Sequence, residues 1–192
     1  MLDLSLVLIA IPVVLPLVLL LALAVAATGG KPFYSQLRIG KGGRTFRIWK
    51  LRTMMHDADA YLEAYLQANP AANAEWAATQ KLKNDPRITP LGRILRKTSA
   101  DELPQLFNVL TGTMSLVGPR PMMVDQQRYY NGQSYYEMRP GITGLWQVSD
   151  RNECNFRDRV AFDNAYARTV SLKTDLGLLL RTVSVVCRAT GH

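Results

Sequence analysis

From residue 6 the chain is apolar without interruption, "LVLIAIPVVLPLVLLLALAVAATGGK", and it meets no charge until Lys31. A helix of about 22 residues rises roughly 33 Å, enough to cross a hydrocarbon core of about 30 Å. Pro12 and Pro16 lie four positions apart inside this stretch. Each withholds an N–H, so the carbonyls of Leu8 and Pro12 lose their helical partners, at about 3 kcal/mol or more per broken position. The limbs on either side of Pro16 have about a dozen residues, or roughly 18 Å, and neither crosses alone. Small residues at Ala24-Val25-Ala26-Ala27 resemble a signal cleavage site. No basic residue precedes the apolar stretch, however, and the stretch is longer than a secretion signal, so retention is expected.

The period then changes. Two β-leaning runs, residues 32–39 and 45–52, flank the turn Gly40-Lys41-Gly42-Gly43 and predict a hairpin. Residues 54–83 are Ala-rich and helical in pattern, with an interruption at Asn69-Pro70; Tyr61, Leu62, Tyr65 and Leu66 share a face and read as packing. Residues 91–97 form a short basic amphipathic helix after the turn signals Asp85-Pro86 and Thr89-Pro90. "SADELPQLFNVL" starts another helix, with Ser99 and Glu102 in a capping-box pattern and Pro104 in the first turn. Two glycine-containing turns surround Ile142-Thr143, and helices are expected over about 156–168 and 173–187. The fold class is α+β and predominantly helical, with residues 31–192 forming one compact domain.

Charge is distributed unevenly. The net charge is +8, yet residues 1–30 contain one acid, Asp3, and no base, so all 23 Lys and Arg follow the apolar segment. The hairpin carries Lys31, Arg38, Lys41, Arg44, Arg47, Lys50 and Arg52 without an acidic residue. Beside an apolar membrane segment, such a basic body favours phospholipid headgroups or phosphorylated substrates. Cys154 and Cys187 form no CxxC pair, and His56 and His192 are the only histidines, so any metal must be held by carboxylate oxygen.

Two stretches can carry chemistry. Asp101-Glu102 reads either as a pair of helix-capping acids or as a nucleophile with a neighbouring Mg²⁺ ligand, with Arg93, Arg96, Lys97 and Arg120 close in sequence. "GPRP" at 118–121 fixes Arg120 between prolines, as a rigid turn or as an oriented fork for a diphosphate.

The motifs "QLRIGKGGRTFRIWKLRTM", "TPLGRILRKTSADELPQLFNVLTGTMSLVGPRPM", "RPGITGLWQV" and "DNAYARTVSLKTDLGLLLRTV" together resemble the bacterial sugar transferases, the monotopic phosphoglycosyl transferases acting on polyprenol phosphate. The resemblance implies a re-entrant, proline-broken helix over residues 1–30, amphipathic interfacial helices, and a cytosolic catalytic domain at the inner membrane of a bacterium. It implies transfer of a sugar-1-phosphate from a UDP-sugar to undecaprenyl phosphate with Mg²⁺, releasing UMP, as the first membrane step of exopolysaccharide, capsule or O-antigen synthesis. By motif match, Asp101 is the nucleophile and Glu102 assists the metal. Arg96 holds the polyprenol phosphate, and Arg120 with Pro121 contacts the nucleotide sugar. Lys50 and Arg52 join the substrate-binding set, while Asp163 and Asp175 fall on supporting acidic positions. A homodimer is left open. The family's Ser-Pro break is replaced here by Leu15-Pro16. The competing reading is a membrane-anchored nucleic-acid-binding or scaffold protein, motivated by Phe33, Tyr34, Phe46 and Trp49 among the basic residues; it leaves the Asp-Glu pair and GPRP without a purpose. Nucleic acid is therefore not an expected partner.

Overall fold

The computed structural model describes residues 2–79, 82–149 and 156–187; Cys154 and His192 lie outside them. The apolar stretch forms one helix, α1 (Leu2–Ala27), and the helical turns continue across Pro12 and Pro16. The two limbs anticipated from the prolines are thus a single element. One face of α1 is seated on the body along its length. Val7 packs with Ile48, Val109 and Met114, and Ala22 and Val25 pack with Leu51 and Leu95. The opposite face is bare, with Ile9, Val13 and Leu23 each at least 70% exposed.

Polar contacts fasten α1 at both ends. At the start, Asp3 accepts from Ser115 Oγ at 2.8 Å, from the Leu116 N–H at 3.1 Å and from Arg139 Nη2 at 3.2 Å. At the end, the Arg52 guanidinium donates to the carbonyls of Val25 and Gly29. A cation there satisfies terminal carbonyls and opposes the negative end of the helix dipole.

The hairpin is β1 (Phe33–Ile39) and β2 (Thr45–Leu51), with Tyr34 opposite Lys50 and Arg38 opposite Phe46. Period-2 alternation therefore places residues 34, 36 and 38 on one face with 46, 48 and 50. The turn between the strands uses Gly42 and Gly43 at φ of 67° and 75°, a region that favours glycine. The expected Ala-rich pair forms α2 (Ala58–Ala68) and α3 (Pro70–Thr79), divided at Asn69, with the Tyr61 and Tyr65 rings stacked. The basic helix α4 (Pro90–Lys97) starts on Thr89, whose hydroxyl accepts from the Gly92 N–H at 2.9 Å. Gly92 itself abuts Thr53, where a Cβ would lie 2.0 Å from the carbonyl oxygen.

The capping box at Ser99 does not form. Ser99 takes a left-handed conformation at φ 55° and its side chain makes no cap bond. A single 3₁₀ turn, Ala100–Glu102, carries the two acids, and the helix proper, α5 (Gln105–Leu110), begins after Pro104. Asn108 of α5 stitches this unit to β2: the Trp49 N–H donates to Oδ1 at 3.2 Å and Nδ2 donates to the Arg47 carbonyl at 2.7 Å.

Three short strands complete the body. β3 (Ser115–Val117) pairs in parallel with β5 (Gly141–Thr143), while β4 (Met122–Met123) adds to β1, giving the order β2-β1-β4. A short helix, α6 (Ser134–Glu137), packs against α7 (Arg159–Thr169), and α8 (Leu172–Cys187) lies over β3 and β5.

Asn108→Ala leaves a part-buried strand N–H and carbonyl without their side-chain partner, a loss of about 1 kcal/mol. Denaturant titration of the purified chain is expected to show that loss.

Candidate active site

Lys50 on β2, the 3₁₀ turn and the GPRP loop converge on one cleft lined by Arg38, Lys50, Glu102, Gln105, Arg120 and Pro121. Lys50 Nζ lies 2.7 Å from Glu102 Oε1 and 3.7 Å from Asp101 Oδ2, so one ammonium serves both carboxylates. Arg120 Nη2 approaches the same Glu102 oxygen at 4.0 Å. Asp101 is 7% exposed, and its burial raises the carboxyl pKa above the usual value; Lys50 opposes that rise, Glu102 adds to it, and Arg96 opposes it.

Arg120 owes its position to a close approach of two loops. The Gly118 N–H donates to the Thr143 carbonyl at 2.9 Å, and the Gly141 N–H donates to the Pro119 carbonyl at 2.8 Å. A Cβ at Gly141 would sit 2.1 Å from the Gly118 nitrogen, so a side chain at Gly141 would separate the loops. From behind, Arg159 donates through Nη2 to the Arg120 carbonyl. Asp163, 2% exposed, accepts from Tyr130 Oη at 2.8 Å and faces the Arg159 charge.

Not every residue singled out in the sequence joins this cleft. Arg96 lies on the α4 side, where Nε donates to Thr53 Oγ1 at 2.9 Å while its charge acts on Asp101. Arg52 is engaged with the end of α1 and does not line the cleft. Asp175 accepts from Tyr166 Oη at 2.8 Å, below β3. Pro121 is at the rim and its carbonyl accepts from Arg38 Nη1 at 3.3 Å. Gln105 lines the cleft and Arg159 backs it without a signal in the sequence, where Arg38 stands only as one of the seven bases of the hairpin. For Arg38 the signal was available, because the glycine turn fixes the register that puts it on the same face as Lys50.

The donor set suits a hard cation. Among the described residues no group of three or more His, Cys, Asp or Glu could hold a metal. Two adjacent carboxylates already sharing one cation do fit Mg²⁺, which takes its remaining ligands from water and substrate phosphate. A buried carboxylate, two arginines and a lysine around one small cleft are parts suited to moving a phosphoryl group by positioning and charge neutralisation.

This is the chemistry of a transferase, and the chain belongs to the bacterial sugar transferase family, whose model matches residues 1–189. It is 48% identical over 165 residues to the exopolysaccharide production protein ExoY of Rhizobium meliloti, covering 85% of this chain and 73% of that protein. It is also 48% identical to the undecaprenyl-phosphate galactose phosphotransferase of Salmonella typhimurium, covering 87% of this chain but 36% of that one. With the UDP-glucose:undecaprenyl-phosphate glucose-1-phosphate transferase of Caulobacter vibrioides the identity is 42%, over 80% of this chain and 56% of the other.

Because the folded pKa of Asp101 is raised, the stability it lends is present at low pH and lost as pH rises through the folded pKa. Asp101→Asn is therefore expected to raise the melting temperature at neutral pH and to change it little near about pH 4. Lys50→Met removes the leading opposing charge, so the acid limb of the pH–rate profile should move upward.

Proposed function

We propose that the chain transfers a sugar-1-phosphate from a UDP-sugar to undecaprenyl phosphate through a phosphosugar carried on Asp101. The observation that carries this reading is the buried Asp101 carboxylate beside Lys50 and Glu102, in reach of a cleft edged by Arg120. The names of the relatives from Salmonella and Caulobacter support the donor and acceptor classes.

In the first step an Asp101 oxygen attacks the phosphorus bonded to the sugar, and the bond from that phosphorus to the bridging oxygen of UMP breaks. UMP departs with the electron pair. An oxygen of undecaprenyl phosphate then attacks the same phosphorus, the bond to Asp101 breaks, and the carboxylate is restored. Neither step needs a proton taken from the nucleophile, in keeping with a cleft whose lining among the described residues includes no histidine. Lys50 and Arg120 offset phosphate charge, and Glu102 with Asp101 would hold Mg²⁺, which supplies further neutralisation when bound.

The same reading places residues 1–30 in the cytoplasmic leaflet of the bacterial inner membrane and residues 31–192 on its cytosolic face. α1 is long and apolar enough to cross a membrane, with mean hydropathy 3.1. Its two ends nevertheless contact the same body, Asp3 at β3 and Val25 with Gly29 at Arg52, which favours a seat on one side. Of the seven bases of the hairpin, Arg38, Lys50 and Arg52 are committed inward, while Lys31, Lys41, Arg44 and Arg47 stay exposed. That commitment favours a phosphate site over a nucleic-acid surface.

Detergent-purified protein given undecaprenyl phosphate and a panel of UDP-sugars is expected to release UMP only with Mg²⁺. Asp101→Asn should abolish release, and a labelled phosphosugar should map to Asp101; an active variant removes the assignment. With Cys154 and Cys187 changed to Ser, a cysteine introduced by Leu2→Cys is expected to react only with reagent applied from the cytoplasmic side. Labelling from outside would overturn the one-sided seat.

A further inference from the structure

Arg38 is the second arginine of the cleft, and neither step of the proposed reaction calls on it by name. It lines the cleft together with Glu102, and its plane is fixed by two bonds: Nη2 donates to Gln36 Oε1 at 2.7 Å and Nη1 to the Pro121 carbonyl at 3.3 Å. The third donor, Nε, is buried and has no hydrogen-bond partner among the described residues. A buried donor left unmade costs about 1–3 kcal/mol, more when charged, so such a group calls for an acceptor. A second cation, Arg120, lies close enough to depress the Arg38 pKa, which burial has already lowered. Two guanidiniums lining one cleft repel; Glu102 offsets part of that repulsion, and a bound anion would offset more.

We infer that Arg38 is a further substrate-binding residue, whose Nε–H meets the phosphate of the nucleotide that leaves, with Arg120 on the other side of that phosphate. The inference rests on the proposed reaction for the identity of the nucleotide. The leaving phosphate is favoured over the lipid phosphate because Arg38 shares the cleft with Arg120 and the GPRP loop, whereas Arg96 lies with Thr53 on the α4 side. Charge grows on this phosphate as its bond breaks, so a fixed fork here strengthens binding and speeds departure.

UDP titrated calorimetrically into the full chain in nanodiscs tests the inference without turnover. Arg38→Gln is expected to weaken UDP binding by about tenfold or more. Arg38→Lys keeps the charge but not the fork, and should recover only part of the affinity. In assays of UMP release, Arg38→Gln should raise KM for the UDP-sugar and leave KM for undecaprenyl phosphate within about twofold. Wild-type UDP affinity in Arg38→Gln overturns the inference, as does a shift confined to undecaprenyl phosphate, which would assign the residue to the lipid. Should Arg38→Gln fail to fold, Arg38→Lys decides alone: undiminished UDP affinity overturns the inference. A chain that binds UDP through Arg38 but releases no UMP from any UDP-sugar refutes the proposed reaction and leaves the anion site standing.

Discussion

The arrangement depends on keeping a buried carboxylate charged. Moving an ion out of water costs several kcal/mol even after relaxation, and opposite charges about 4 Å apart recover about 4 kcal/mol at an effective dielectric of 20. At Asp101 burial outweighs its counterions, because the pKa is raised in spite of Lys50 and Arg96. The cation must therefore be held in place, and the scaffold can be read as the means of holding it. Lys50 is fixed by a seven-residue strand pairing, and Asp101 by a turn whose following helix is bonded to that strand through Asn108. A carboxylate that is costly to bury is also poorly solvated, which leaves its oxygens available to a cation or an electrophile.

Much of this was legible from local pattern. The hairpin, the division of α2 from α3 at Asn69, the basic helix α4 and the two last helices each follow from a glycine turn, a proline or a 3.6-residue period. Ser99 misled because a capping box needs an extended N-cap residue, and the tight connection from α4 forces a left-handed one. β3, β4 and β5 have two or three residues each, too few for alternation to register, and loop packing decides them. Arg38 and Arg159 resemble solvated charges in sequence; only the fold turns them inward.

The face of α1 that packs could not be read at all, since a helix apolar on every side carries no amphipathic signal. The structure gives the two prolines a physical setting. Pro12 and Pro16 are both on the exposed face. The proline ring clashes with the carbonyl one turn earlier, and relief of that clash opens the helix on the proline side. A bend in that sense curves α1 toward its packed face. The freed carbonyl of Leu8 likewise belongs to the outer face, where a shallow seat near headgroups and water is less costly than mid-bilayer.

The membrane element and the chemistry also share strands. Arg52, which closes the end of α1, lies two residues beyond Lys50 on the same stretch of chain. Asp3, which closes its start, binds Ser115 and Leu116 of β3, and Gly118 beyond that strand interlocks with Gly141 to aim Arg120. Its third partner, Arg139, stands two residues before Gly141. A displacement of either end of α1 must therefore pull on a strand that carries a cation of the cleft. The seating of α1 and the spacing of Lys50 from Arg120 are then coupled variables, so that a shift in one is felt by the other.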